Sequence, residues 1–204
     1  WTIKDIINEP LDIHNIGSFS EREDAVVEIL RTVGLTPPEN YMSRYPHEIS
    51  GGQRQRVSIA RTLVMKPKFV VCDEPTSMLD VSIRISIMDL MLNLAKELDV
   101  SYLYITHDLA VARYMCNRIA VMFNGKIVEI AETEELLNNP IHPYTKRLIS
   151  SIPIPDPSYK RERYEMNFDE LDNIIQNNPN EKMVNIGNEH FVATHETKDF
   201  FIES

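Results

Sequence analysis

Phe69-Val70-Val71-Cys72-Asp73-Glu74 is an apolar run that ends abruptly in two carboxylates. A continuous apolar run of this length suggests a strand buried on both faces, as in a parallel sheet covered by helices. Acids at the end of such a strand point to the carboxyl edge of the sheet, where open α/β folds bind ligands. Downstream, Asp80 is a suitable helix N-cap, and Ile83, Ile87, Leu90, Met91, Leu94 and Leu98 recur at helical spacing. Ser101 to Thr106 reads as the next strand, and a short helix follows Asp108. Ile119 to Phe123 and Lys126 to Ile130 flank Asn124-Gly125, the signal of a two-residue hairpin turn. Strand, helix, strand, helix and hairpin together predict an α/β layer fold with a parallel sheet.

Upstream, residues 1–48 read as mostly helical. Ser20 and Glu23 have capping-box spacing, and Ala25, Val26, Ile29, Leu30 and Val33 form one apolar stripe that Gly34 terminates. Pro37-Pro38 marks a loop, and a second helix is expected from near Ser50 to Met65. Beyond the hairpin, helices are expected over Glu132 to Asn138 and Pro143 to Ser151. Pro153, Pro155 and Pro157 then suggest a stiff linker. The tail from Ser158 is polar and acidic, with weak periodicity, and no internal repeat is visible.

Composition sets limits on function. The chain has 204 residues and a formal net charge of -10, with 43% hydrophobic and 25% charged residues. That balance suits a globular protein and argues against a surface built for nucleic acid or an anionic membrane. A nucleotide site is still compatible, because one triphosphate needs only a local cluster of donors. No segment approaches the ~18 apolar residues of a membrane span. Residues 1–19 show neither a basic leader nor an apolar middle. Cys72 and Cys116 form no CxxC pair, so free buried thiols in a reducing compartment are expected.

Three short strings carry chemistry. In Ile49-Ser50-Gly51-Gly52-Gln53-Arg54-Gln55-Arg56, two glycines at a helix start let the backbone approach a ligand. The free N–H groups and the helix dipole there attract phosphate. The same Ser-x-x-Gln spacing is also an ordinary capping box. In the second string, Asp73 can hold Mg²⁺ through water and Glu74 can accept a proton from an attacking water. An isolated acid pair is more often solvated. In the third, Ile105-Thr106-His107-Asp108, an imidazole beyond a strand end can donate to a phosphate oxygen. His14, His47, His142, His190 and His195 have no comparable setting, and no metal-ligand cluster is visible among them.

In their order and spacing these strings resemble the ABC-transporter ATPase family. The first is similar to its signature motif, with Ile49 where Leu is usual. The stretch Asp73-Glu74-Pro75-Thr76-Ser77-Met78-Leu79-Asp80 resembles the Walker B strand running into the D-loop, with Met78 where Ala is usual. His107 stands in the place of the switch histidine. Asn139-Pro140-Ile141-His142-Pro143-Tyr144-Thr145-Lys146 resembles the C-terminal extension of oligopeptide and dipeptide importers. Thr2 to Ile7 with Glu9-Pro10-Leu11 resembles the stretch after their Q-loop. The resemblance covers residues 1 to about 155. The tail cysteine cluster of some relatives is absent, since no Cys follows Cys116.

The resemblance implies an incomplete P-loop ATPase core with an N-terminal helical subdomain and a C-terminal extension. The expected partition is 1–66, 67–138 and 139–204. It implies ATP and Mg²⁺ as cofactors, Glu74 and His107 as catalytic residues, and Asp73 on the metal. Ser50, Gly51, Gly52 and Gln53 would bind nucleotide held by a second ATP-binding subunit, the same or a paralogue, with Asp80 at that interface. Permease subunits in the membrane and, indirectly, a solute-binding protein are the other implied partners; nucleic acid is not. The implied location is the cytoplasmic face of the membrane. The family also needs GxxGxGKS to cradle phosphates, and none of the six glycines is followed by Lys-Ser or Lys-Thr. With Trp1 rather than Met at the start, this reads as the downstream part of a subunit, inactive alone and poorly soluble. A non-enzymatic remnant or regulatory interaction module is the alternative. A soluble relative acting on DNA or ribosomes is disfavoured by the extension and the acidic charge.

Overall fold

A computed structural model describes residues 1–151 and 182–194. The proline segment beyond Ile152 and most of the acidic tail lie outside the described residues. Packing divides the chain into two compact units, Trp1–His107 and Asp108–Ser204.

The first unit opens with α1 (Ile3–Ile13), α2 (Phe19–Thr32), a short α3 (Glu39–Met42) and a 3-10 turn (Pro46–Glu48). Then come α4 (Gly51–Leu63), β1 (Phe69–Asp73), α5 (Val81–Glu97) and β2 (Ser101–Ile105). The capping box of α2 is Ser18 with Glu21, two residues earlier than the expected Ser20 with Glu23. Gly17 at φ 71 turns the chain into that start. Arg22 donates to the carbonyls of Ile16 and Gly17 and so holds the turn. Thr2 and Asp5 cap α1 in the same way. Ile3, Ile7 and Leu11 of α1, Val26, Ile29 and Leu30 of α2, and Val57, Ala60 and Leu63 of α4 meet in one core. Leu94 of α5 and Val100 join it, and Val70 and Tyr102 pack against it from the strands. This apolar contact fixes the helices against one face of the sheet.

β1 and β2 pair in parallel, with Cys72 opposite Tyr104 and Asp73 opposite Ile105. The expectation that β1 is buried on both faces is not met. Exposure alternates along both strands: Phe69 is 58% exposed, Val71 56%, Leu103 50% and Ile105 45%. The helices cover only the Val70, Cys72, Tyr102 and Tyr104 side. Among the described residues this sheet has two strands, and nothing covers its other face.

The second unit holds α6 (Leu109–Met115), β3 (Arg118–Phe123), β4 (Lys126–Glu132), α7 (Thr133–Asn138) and α8 (Pro143–Ser150). It closes with β5 (Lys182–Asn185) and β6 (Phe191–Thr194). The strands form one antiparallel sheet in the order β3-β4-β6-β5. The predicted hairpin is present: Asn124 at φ 45 and Gly125 at φ 81 make the two-residue turn. A bulge between Val121 and Met122 shifts the β3/β4 register, and Val128 and Glu129 are both buried beside it. Val128 enters the apolar core with Val121, Ala131 and Leu136.

The hairpin of β5 and β6 was not read from the acidic tail. Gly187 and Asn188, both at positive φ, turn it, and Phe191-Val192-Ala193 supplies its apolar strand. Glu129 anchors it: this fully buried carboxylate accepts from the ring Nε2 of buried His190 at 2.7 Å. It also accepts from the backbone N–H groups of Ile141 at 2.8 Å and His142 at 3.1 Å. Three donors from two segments make burial of that charge tolerable. No helix among the described residues is long and apolar enough to cross a membrane.

Candidate functional site

Because β1 and β2 are parallel, their carboxyl ends lie on the same edge of the sheet, and the functional strings that follow them meet there. Asp73 is the last residue of β1 and is exposed. Glu74 then leaves the strand with φ 43, an uncommon left-handed conformation for a side chain of this size. Its N–H donates to the Ile105 carbonyl at 3.0 Å, so the turn is held directly against β2. His107, two residues beyond β2, places Nδ1 2.6 Å from Glu74 Oε1. Both side chains are open to solvent.

The loop from Glu74 to Asp80 is braced from within. Ser77 donates to the Glu74 carbonyl through its N–H and its hydroxyl, and the Leu79 N–H donates to the Thr76 carbonyl. Thr76, only 4% exposed, has its hydroxyl 3.1 Å from that of Tyr104 on β2. Asp80 caps α5, accepting from the Ile83 N–H at 3.1 Å. That bond holds the Asp80 carboxyl below its usual range. A cavity of about 350 Å³ lies beside this loop, lined by Ser58 and Thr62 of α4, Cys72, Glu74, Leu79 and Tyr102. Burial pushes the Cys72 thiol up to about 11. Burial and the neighbouring Cys72 push the Tyr102 phenol up to about 12.

The Ser50 to Gln53 string starts α4. Ser50 Oγ accepts from the Gln53 N–H and the Gln53 side chain accepts from the Ser50 N–H, a reciprocal capping box. Gly51 and Gly52 occupy the first turn, whose N–H groups have no helical carbonyl to bind. The two readings of this string are therefore compatible: the cap occupies the Gln53 N–H and leaves the Gly51 and Gly52 N–H groups without a helical acceptor. A Cβ on Gly52 would stand 2.8 Å from Ile83 Cγ2, so α5 packs where only glycine fits.

Among the described residues no group of three or more His, Cys, Asp or Glu side chains could hold a metal. A single exposed carboxylate such as Asp73 suits Mg²⁺, which takes one or two carboxylates and completes its shell with water and phosphate oxygens. Sequence reading missed the Tyr104–Thr76 bond and the burial of His142 and His190. A lone Glu129 within Ile127-Val128-Glu129-Ile130 was the available signal for the latter.

The ABC transporter family profile matches residues 3–77, a span that includes the capped glycine turn and the acid pair. The profile described as "Oligopeptide/dipeptide transporter, C-terminal region" matches residues 128–182. The chain belongs to the ABC-transporter ATP-binding family. It is 51% identical over 169 residues to the oligopeptide transport ATP-binding protein OppF of Bacillus subtilis, covering 82% of this chain and 55% of that protein. AmiF of Streptococcus pneumoniae, also an oligopeptide transport ATP-binding protein, is 53% identical over 163 residues, or 79% of this chain and 52% of AmiF. The dipeptide transport ATP-binding protein DppF of Lactococcus lactis is 49% identical over 168 residues, with 82% and 53% covered. The chain thus spans about half the length of the curated relatives it matches. A solved inward-facing ABC transporter described as of metal-chelate type superposes with a TM-score of 0.62 at 23% identity. The match covers 75% of this chain and 59% of that one, and bears out the α/β ABC fold.

Proposed function

We propose that this ABC-family chain is the part of an importer's ATP-hydrolysing subunit that carries the signature loop, the catalytic acid and the switch histidine. The subunit energises uptake of oligopeptides or dipeptides. The observation that carries this is the 2.6 Å Glu74–His107 contact at the carboxyl edge of a parallel strand pair. Identity near one half to oligopeptide and dipeptide transport ATP-binding proteins supports the substrate class.

Bound MgATP supplies the phosphoanhydride that water cleaves. Glu74 takes the proton from the attacking water, and His107 donates to a γ-phosphate oxygen. Asp73 would be the carboxylate that holds Mg²⁺, which would neutralise charge on the phosphates. Ser50 and the N–H groups of Gly51 and Gly52 donate to the phosphates of nucleotide held by a facing subunit, with Asp80 at that interface. The phosphate-cradling loop this chemistry requires occurs nowhere in the 204 residues and must come from another segment. Residues 1–66 then serve as the helical subdomain that docks on permease subunits, 67–138 as core, and 139–204 as the extension. The assembly works at the cytoplasmic membrane face, where a solute-binding protein feeds it from outside.

The test is to exchange the matching stretch of Bacillus subtilis OppF for this chain and measure oligopeptide uptake in cells lacking OppF. Uptake is expected with the wild-type exchange and should vanish with Glu74→Gln and His107→Ala. Uptake that persists in both variants would remove the catalytic assignment.

A further inference from the structure

We propose that Tyr104 is a positioning residue for the Glu74–His107 pair, acting through the hydroxyl of Thr76. This rests on the reading of Glu74 and His107 as the reacting pair. The loop after β1 is tied to β2 at two points. One is the backbone bond from the Glu74 N–H to the Ile105 carbonyl at 3.0 Å. The other is the hydroxyl pair of Thr76 and Tyr104 at 3.1 Å. The first fixes where the loop leaves the strand; it leaves the loop free to pivot about that point. The second lies two residues further along, with Thr76 buried, and removes the pivot.

Tyr104 also stands three residues before His107 on the same strand exit. One residue pair therefore references both catalytic side chains to the same stretch of β2. The strain at Glu74, whose φ of 43 is uncommon for a non-glycine residue, gives the loop a reason to relax once the brace is cut. The Ser77 and Leu79 bonds lie within the loop itself, so they stiffen it without anchoring it to β2. A phenylalanine at 104 would fill the same space beside Cys72 and lose only the hydroxyl.

The hydrogen bond of His107 Nδ1 to a carboxylate gives a ring ¹⁵N signal displaced from that of free imidazole. The 204-residue chain, labelled with ¹⁵N-histidine, reports it directly, with His107→Gln providing the assignment. Glu74→Ala, which removes the acceptor, should abolish the displacement. Tyr104→Phe and Thr76→Val should each remove at least half of it, the double variant should remove no more than either alone, and Thr76→Ser should restore it. Circular dichroism and melting of the Tyr104→Phe chain should stay close to wild type, which separates positioning from unfolding. If Glu74→Ala moves the signal and Tyr104→Phe and Thr76→Val leave it in place, the positioning role is overturned and the pair stands. If Glu74→Ala leaves it in place, the pair itself is wrong and the proposal falls with it.

Discussion

Glu129 is the side chain whose loss should be felt most in the second unit. Its carboxylate is fully buried and accepts from Ile141, His142 and His190. Glu129→Ala leaves two buried donors and one half-buried donor without this acceptor, which should cost about 3–5 kcal/mol by urea denaturation, with β6 the first element to lose hydrogen-exchange protection. Cys72 gives a prediction of a different kind. Its thiol is raised from 9.0 to about 11, so the folded protein holds this proton more tightly than the unfolded chain does. The associated stability is fully present below pH 9 and is lost as pH climbs toward 11. Alkylation of Cys72 at neutral pH should be correspondingly slow compared with the unfolded chain, as followed by mass spectrometry. At this scale the sequence was legible where the partner is close by. Asp73, Glu74 and Asp80 lie in one string. The Thr76–Tyr104 and Glu129–His190 bonds join residues 28 and 61 positions apart, and no local pattern encodes them.

At the scale of elements, the start of α4 does two jobs. The Ser50–Gln53 capping box closes its backbone, and Gly52 admits Ile83 of α5. Gly52→Ala should destabilise the chain by about 1–3 kcal/mol through overpacking, and combining it with Ile83→Ala should recover part of that in a thermal melt. A loss unchanged in the double variant would contradict the packing account. Helix positions were readable because capping boxes and apolar stripes are local. The α2 start was displaced by two residues because Ser18-x-x-Glu21 and Ser20-x-x-Glu23 offer the same spacing, and the Arg22 bonds to Ile16 and Gly17 favour the earlier one. The hairpin of β5 and β6 escaped because its apolar strand is short. Its pairing with β4 is held by the buried Glu129–His190 hydrogen bond rather than by periodicity.

At the scale of the molecule, the first unit presents Phe69, Val71, Leu103 and Ile105 on one sheet face that is uncovered among the described residues. Together with the two strand edges left unpaired among the described residues, that face is a template for association. Val71→Lys should lower the aggregated fraction measured by light scattering and leave helix content unchanged; unchanged scattering would mean that association arises elsewhere. The α/β class and the order of the motifs were legible because each motif is a contiguous string beside a strand or helix end. The one-sided burial of β1 was not, since four apolar residues read alike whether one face is covered or two.

The central claim is that this chain contributes Glu74 as the general base of ATP hydrolysis. The measurement that tests it most directly is phosphate release by the purified exchange protein, in which this chain replaces the matching part of OppF. The account predicts ATP-dependent release by the wild-type exchange, a fall of about 10²- to 10⁴-fold with Glu74→Gln, and none from the 204-residue chain alone. Release that is indifferent to Glu74→Gln, or turnover by the isolated chain, would contradict it.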